Sequence, residues 1–232
     1  MKHLIFDCGG VLVYPAAGTW AIPVRMREVL GPRFSDIGGE KYARAHREAA
    51  PWLDESRLIL TLDEEYRRRR EYLRVLDAGM GWRLTEAELD LLADDFTHNI
   101  RRYGFYEDID AWLPRWKRDH ALGILSDAMP SLPVFLRQYG ILDLFDAAVF
   151  STQIGAIKPD PRMYSAILEA LGADPGDCLF VDDRPCNLDG AIRAGLRAVQ
   201  MIRPGTAPEA LWDGPRVNDF EALDRLLEHE RD

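Results

Sequence analysis

Short apolar runs recur along this chain, and helical patterns separate the later ones. Each run has the length of a buried strand and shows little alternation of apolar and polar residues, which is typical of strands covered on both faces. The predicted strands are Leu4–Phe6, Ala121–Leu125, Ala147–Phe150, Cys178–Val181 and Arg197–Met201.

The helical patterns between these runs carry recognisable ends. In "DPRMYSAILEALG", Asp160 can cap a helix, Pro161 suits its first turn, and Gly172 suits the position after its last turn. "NLDGAIRAG" ends at Gly195 in the same way. Alternation of strands and helices predicts an α/β fold, with a Rossmann-like parallel sheet flanked by helices.

Residues 15–104 follow a different pattern, without strand-like runs. Thr61 with Glu64 and Thr85 with Glu88 have the spacing of capping boxes, and Gly79 is a candidate end for the first of these helices. Apolar residues then recur at helical spacing at Leu89, Leu92, Phe96 and Ile100, and further helices are predicted over Trp20–Leu30 and Glu40–Ala49. We therefore predict a core domain of residues 1–14 and 105–232, with an all-helical cap domain inserted at 15–104.

Composition and charge exclude some classes of function. The chain has 232 residues, of which 47% are hydrophobic, and a formal net charge of -10, which argues against a nucleic-acid partner. The run Arg67–Arg70 is interleaved with acidic residues, so we interpret it as an ion-paired helix face. The sequence does not indicate an oligomeric state.

Three cysteines without framework spacing suit a reducing compartment. The chain reaches Asp7 after only a few apolar residues, too few for a secretory signal. No stretch approaches the roughly 20 apolar residues of a membrane helix. We therefore expect a cytoplasmic protein with no membrane partner.

Polar residues follow four of the predicted strands, at the edge where open α/β sheets bind ligands. A single aspartate there is often a turn former or a helix cap, and a lysine before a proline is often only a loop residue. Two adjacent carboxylates repel each other, however, and a bound cation relieves this repulsion. Carboxylates without a histidine or cysteine cluster favour a hard cation, Mg²⁺ above all. The residues are Asp7, then Ser126 and Asp127, then Lys158, and finally Asp182, Asp183 and Asn187.

Taken in order, these residues resemble the four motifs of the haloacid dehalogenase superfamily of hydrolases. The first motif of its phosphatases, D-x-D-G-[TV], corresponds to "DCGGV" here, and Ser126 stands for the second motif. Lys158 in "GAIKPDP" stands for the third, and "VDDRPCNLDGA" for the acidic fourth. The helical insertion is similar to the subfamily whose cap follows the first strand.

The resemblance implies a role for each motif residue. Asp7 would be the nucleophile that forms an aspartyl-phosphate, and Ser126 and Lys158 would complete the catalytic set. Asn187 would orient the acid pair or a metal-bound water. Metal ligation would fall to Asp7, the Gly9 carbonyl, Asp182 and Asp183, and substrate binding to Ser126, Asp127, Lys158 and backbone N–H groups around Cys8 and Gly10.

Gly9 departs from the phosphatase pattern. The family's phosphatases have a second aspartate there, which protonates the leaving group and then activates water. A general acid/base of this kind contributes roughly 10²–10⁴-fold. Candidate replacements are Asp127, His46, or the substrate and water themselves.

The expected function is therefore a Mg²⁺-dependent phosphatase acting on a small phosphorylated metabolite. One alternative is a module that binds a phosphorylated ligand or a protein without turnover. The other is a 2-haloacid dehalogenase, a branch that also lacks the second aspartate. That branch works without Mg²⁺ and replaces the first acid of the fourth motif, so the intact Asp182–Asp183 pair argues against it.

Overall fold

The computed structural model describes residues 2–54 and 58–229. Within these residues the chain forms eight strands and ten α-helices, none of which is long and apolar enough to cross a membrane. The strands are β1 (His3–Phe6), β2 (Val13–Pro15), β3 (Tyr103–Phe105), β4 (Ala121–Ser126), β5 (Ala147–Phe150), β6 (Cys178–Asp182), β7 (Arg197–Met201) and β8 (Arg216–Val217). The helices are α1 (Met26–Leu30), α2 (Glu40–Ala49), α3 (Leu62–Met80), α4 (Glu86–His98), α5 (Ile109–Trp116), α6 (Ser131–Gln138), α7 (Ser151–Ile154), α8 (Pro161–Leu171), α9 (Pro185–Arg193) and α10 (Phe220–His229).

Six strands form one parallel sheet in the order β5-β4-β1-β6-β7-β8, and β2 and β3 form a separate two-stranded sheet. All five predicted strands are present, and the Rossmann-like α/β fold is confirmed. His3 pairs with Ala121 on one side and with Cys178 on the other, which places β1 in the middle of the sheet. The carboxyl ends of β4, β1 and β6 therefore lie side by side.

Successive residues of β1 point to opposite faces of the sheet, and both faces are buried. Ile5 belongs to the cluster beneath α8 and α9, together with Tyr164 and Phe180. Phe6 points the other way and stacks on Trp116 at a centroid distance of 5.7 Å. The apolar run before Asp7 thus has a structural explanation, because it forms the centre of the hydrophobic core.

The described chain divides into two compact units. The sheet unit contains residues 2–14, 58 and 105–229, and the helical unit contains residues 15–54 and 59–104. In the helical unit, α3 packs against both α2 and α4. Its core is built around Tyr72, Leu76, Leu92 and Phe96, all fully buried.

Both predicted capping boxes are confirmed. The Thr61 and Thr85 hydroxyls each accept a hydrogen bond from the backbone N–H three residues later, and Glu64 and Glu88 accept from the backbone N–H of the capping threonines.

The predicted end of α3 at Gly79 is wrong. The helix continues to Met80, and Gly81 ends it in the left-handed conformation, with φ of 69°. Gly79 instead lies where α3 approaches α2, and a Cβ atom there would lie 2.6 Å from the Cβ of Ala45. The glycine is therefore explained by close helix packing.

Two further predictions need correction. Helix α1 begins only at Met26, after Pro23 has interrupted the predicted Trp20–Leu30 segment, whereas α2 matches its predicted bounds.

In the arginine run, Arg70 pairs with Asp90 on the surface, but Arg69 is buried, with its Nε 2.6 Å from Glu65 Oε1. Only part of this run is therefore a solvated face.

Replacing Thr85 with alanine should lower the free energy of unfolding by about 1 kcal/mol, because the first turn of α4 loses its side-chain acceptor. The measurement is chemical denaturation followed by circular dichroism. Thr85→Ser is the matched control, since it keeps the hydroxyl and should lose much less stability. Equal stability of the alanine variant and the parent would contradict the capping role.

Candidate active site

The predicted site residues meet at the carboxyl edge of the central strands. Asp7 follows β1 and donates its backbone N–H to the Val181 carbonyl at 2.9 Å. Asp182 is the last residue of β6, and Ser126 the last of β4. The parallel register of the three neighbouring strands brings these residues to one edge, as sheet topology requires.

A buried lysine joins two of the carboxylates. The Lys158 Nζ atom lies 2.7 Å from Asp7 Oδ1 and 2.7 Å from Asp182 Oδ2. All three side chains are buried, and Asp182 is completely inaccessible to solvent. Lys158 reaches this position from the segment before α8, where its backbone N–H donates to Asp127 Oδ1 at 3.0 Å. The lysine and both acids thus form one buried ionic network.

Asp182 is held by further donors. The Asn187 Nδ2 atom lies 3.1 Å and 3.0 Å from its two carboxylate oxygens, and the Arg184 backbone N–H donates to Oδ1 at 2.8 Å. Tyr164 in turn donates its hydroxyl to the Asn187 carbonyl at 2.7 Å. Asn187 therefore contacts the first acid of the pair, and Asp182 is saturated with protein donors.

Asp183 completes a cluster of three carboxylates. One oxygen from each of Asp7, Asp182 and Asp183 lies within 4.8 Å of the others. If all three are ionised, Lys158 offsets only part of their charge and a net charge of -2 remains. Such a set of oxygen donors is suited to a hard divalent cation.

Burial and charge repulsion shift the titration of this cluster. Burial raises the pKa of Asp7 to about 7; the Lys158 ammonium opposes this shift, and the two neighbouring carboxylates add to it. Burial and the Asp182 carboxylate raise the pKa of Asp183 to about 6. Burial lowers the pKa of Lys158, but the carboxylates of Asp182 and Asp7 outweigh burial and raise it well above its usual value. The lysine is therefore charged at any physiological pH.

The turn after Asp7 is organised around one carbonyl. The Cys8 carbonyl accepts from the backbone N–H groups of Val11, Leu12 and Val13 at 2.8–3.2 Å. Cys8 itself is fully buried, and burial raises the pKa of its thiol, which keeps the thiol protonated. This environment suits a packing residue and not a reactive thiol.

Gly10 is required by its conformation and by its neighbour. Its φ is 70°, and a Cβ atom there would lie 2.5 Å from Asp183 Oδ2. Its N–H donates to the Val13 carbonyl at 2.9 Å, so this N–H is used within the turn. The predicted contact of the Gly10 N–H with a phosphoryl group stays a prediction. The structure explains Gly10 by space, because a side chain at this position would clash with the Asp183 carboxylate.

The other predicted substrate-binding residues lie on or next to β4. Ser126 is buried at the end of that strand. Asp127 is partly buried, and burial raises the pKa of its carboxyl although Lys158 acts in the opposite direction. His46, the other candidate proton donor, belongs to α2 of the helical unit. There its Nδ1 lies 3.0 Å from the Tyr72 hydroxyl and its ring stacks on Tyr42.

Sequence reasoning missed two buried polar residues that support the site. Arg203 donates from Nε and Nη2 to the Val11 carbonyl at 3.1 Å and 2.7 Å, and from Nη1 to Asp108 Oδ2 at 2.6 Å. Gln200 donates to the backbone carbonyl of Asp183 at 3.0 Å. The only sequence signal was a polar residue in the otherwise apolar run "AVQM" and an arginine shortly after it.

Comparison with known proteins agrees with this arrangement. A family model for haloacid dehalogenase-like hydrolases matches residues 1–195. A phosphatase from Mycobacterium tuberculosis is 36% identical over 114 residues, which are 48% of this chain and 50% of that protein. A phosphoserine phosphatase from Thermus thermophilus is 36% identical over 137 residues, 57% of this chain and 55% of that protein. The chain thus spans about half the length of the curated relatives it matches.

The fold is also found in solved structures over nearly the whole chain. The L-2-haloacid dehalogenase from Xanthobacter autotrophicus has a TM-score of 0.68 and 22% sequence identity, with 98% of each chain covered. At this identity the likeness concerns the fold alone. The family model covers well over half of the sequence, and it shows that this chain belongs to the haloacid dehalogenase-like hydrolase family.

Proposed function

We propose that this hydrolase is a Mg²⁺-dependent phosphatase that acts on a small phosphorylated metabolite, with Asp7 as its nucleophile. The observation that carries the proposal is the buried Lys158 ammonium, which touches Asp7 and Asp182 beside a third carboxylate, Asp183. The names of the matched phosphatases are consistent with it.

The donor set fits Mg²⁺. The cluster carries excess negative charge, and its oxygens lie close enough to share one ion. Asp182 already accepts from Lys158, Arg184 and Asn187, which supports a water-mediated role for it. Asp7, Asp183 and the Gly9 carbonyl would then be the direct ligands. Bound there, Mg²⁺ would reduce the repulsion between an incoming phosphate and the carboxylates and polarise the phosphoryl group.

The protein's own residues would prepare the attack. Lys158 fixes one Asp7 oxygen, so the carboxylate is held in one orientation and need not be ordered when substrate arrives. The same ammonium would offset charge on the phosphate. Ser126 would donate its hydroxyl to a phosphoryl oxygen. Attack by Asp7 on phosphorus would form the aspartyl-phosphate and release the leaving group, and water would then cleave the intermediate.

Gly9 restricts which leaving groups suit this site. With glycine at the usual acid/base position, an alkoxide would leave unprotonated, which is slow. Acyl and anomeric phosphates have better leaving groups and depend less on a proton donor. We therefore propose acyl or anomeric phosphates as the substrate class, with Asp127, whose pKa is raised by burial, as an alternative proton donor.

Replacing Asp7 with asparagine should lower phosphate release by at least about 10³-fold, because the nucleophile is removed. The assay is a Mg²⁺-dependent screen over phosphomonoesters and acyl phosphates. Asp143→Asn, the same substitution at an exposed position, is the control and should retain full activity.

Three results, from this screen or from binding and dehalogenation assays of the same protein, would contradict the proposal. Full activity of Asp7→Asn would exclude Asp7 as the nucleophile. Tight binding of a phosphorylated ligand by the parent protein, without turnover, would indicate a binding module. Metal-independent release of chloride from 2-chloropropionate would indicate a dehalogenase.

Replacing Asp183 with asparagine should raise the melting temperature of the metal-free protein at pH 8. The folded-state pKa of Asp183 lies above its ordinary value of 3.8, so the folded state binds more protons and loses stability as the pH rises from about 4 to 6. The variant removes this ionisation, and its gain should be smaller at pH 5 than at pH 8.

The melting temperatures of the parent and of Asp183→Asn can also be compared with and without Mg²⁺. Saturating Mg²⁺ should raise the melting temperature of the parent and have much less effect on Asp183→Asn, since a ligand is lost. An equal shift in both proteins would place the ion elsewhere.

Replacing Gly9 with aspartate should raise turnover of simple alkyl phosphates by roughly tenfold or more, because a general acid/base is restored. Gly9 does not have the positive φ of Gly10, so its backbone conformation is one that other residues adopt. Gly9→Asn is the matched control, of equal size without a proton to exchange. No gain for aspartate over asparagine would show that proton transfer does not limit the rate.

A further inference from the structure

Gln200 is a buried amide that joins the acidic site to a surface loop. It lies in β7, paired in register with Asp182 of β6, and its side chain is fully buried. Its Nε2 donates to the Asp183 carbonyl at 3.0 Å and to the Ala210 carbonyl at 2.8 Å. Its Oε1 accepts from the Trp212 backbone N–H at 2.9 Å. One side chain therefore contacts the backbone of a proposed metal ligand and two positions of the loop between β7 and β8.

That loop has other attachments to the same region. Residues 204–211 are exposed, and Glu209 pairs with Arg184 at 3.3 Å. Trp212 donates its indole N–H to Asp189 of α9 at 2.8 Å. Both of these contacts involve side chains at the surface, whereas the Gln200 side chain is fully buried and its three hydrogen bonds are partly buried. Exposed ion pairs contribute little to holding a geometry, so Gln200 is the stronger restraint on this region.

The direction of the Asp183 carboxylate depends on its backbone. Asp182 is fixed through its side chain by Lys158, Asn187 and the Arg184 N–H. Asp183 is restrained differently, since Gln200 holds its main-chain carbonyl and Gly10 leaves room for its carboxylate. Partners that orient a metal ligand commonly change metal affinity by 10–100-fold when they are removed.

We propose that Gln200 is a positioning residue for Asp183, and that it fixes the Asp183 backbone so that the carboxylate faces the Mg²⁺ site. This inference rests on the function proposed above. The hydrogen bonds of the Gln200 side chain go to the backbone of Asp183, Ala210 and Trp212, so it would act on the metal site through Asp183.

The test compares Gln200→Met with the parent protein, using the full chain. Methionine has similar length and no hydrogen-bonding amide, so the Asp183 carbonyl is released. Isothermal titration with Mg²⁺ should show a dissociation constant raised by about tenfold. At saturating Mg²⁺, the KM for a compound that is hydrolysed in the screen above should change much less than the dissociation constant for Mg²⁺. If the methionine variant does not fold, Gln200→Asn replaces it in the test. It keeps an amide on a shorter side chain, and its dissociation constant for Mg²⁺ should rise by a smaller factor.

Trp212→Phe is the matched control. It removes a contact of the same loop, the bond to Asp189, but keeps the backbone N–H that Gln200 accepts. Its Mg²⁺ affinity should equal that of the parent, even if its melting temperature falls.

The outcomes separate the two proposals. A lower melting temperature of Gln200→Met with unchanged Mg²⁺ affinity would show a purely structural role and overturn the inference. A parent protein that neither binds Mg²⁺ nor releases phosphate would overturn the proposed function itself. Weaker Mg²⁺ binding in Gln200→Met, with parent-like binding in Trp212→Phe, supports both.

Discussion

The buried contact of Lys158 with Asp7 and Asp182 is the constraint on which the site depends. Three carboxylates this close in a dry environment repel one another, and burial alone already raises the pKa of Asp7 and of Asp183. A single ammonium keeps the cluster together without neutralising it. The remaining negative charge makes the cluster suitable for a divalent cation and costly for the protein without one.

The rest of the sheet unit holds this cluster from several sides. Asn187 and the Arg184 N–H saturate Asp182, and the turn after Asp7 folds around the Cys8 carbonyl. Arg203 contacts the same turn through the Val11 carbonyl. Every one of these contacts uses a backbone group or a buried polar side chain, so each residue is fixed before any ligand arrives. Such order reduces the reorganisation that a reaction would otherwise require.

Most of the fold and much of the site could be predicted from sequence because both depend on local signals. Strand ends in a parallel sheet meet at one edge, so Asp7, Ser126 and Asp182 could be grouped without knowing any distance. Gly79 was misread because a glycine that ends a helix and a glycine that lets two helices approach look alike in sequence. Gln200 and Arg203 were missed because their partners, Asp183 and Val11, are distant in the chain. Pairings of that kind depend on tertiary packing.

Gly9 can be understood from the same constraint. The residue lies in a turn where the next residue, Gly10, already donates its N–H to the Val13 carbonyl and lies against Asp183. If a carboxylate at position 9 faced these acids, it would add negative charge to a cluster that Lys158 only partly offsets. Glycine adds no charge there, but it supplies no proton donor for the leaving group. Under the proposed function, such a site would be best matched to phosphates whose leaving group departs without a proton.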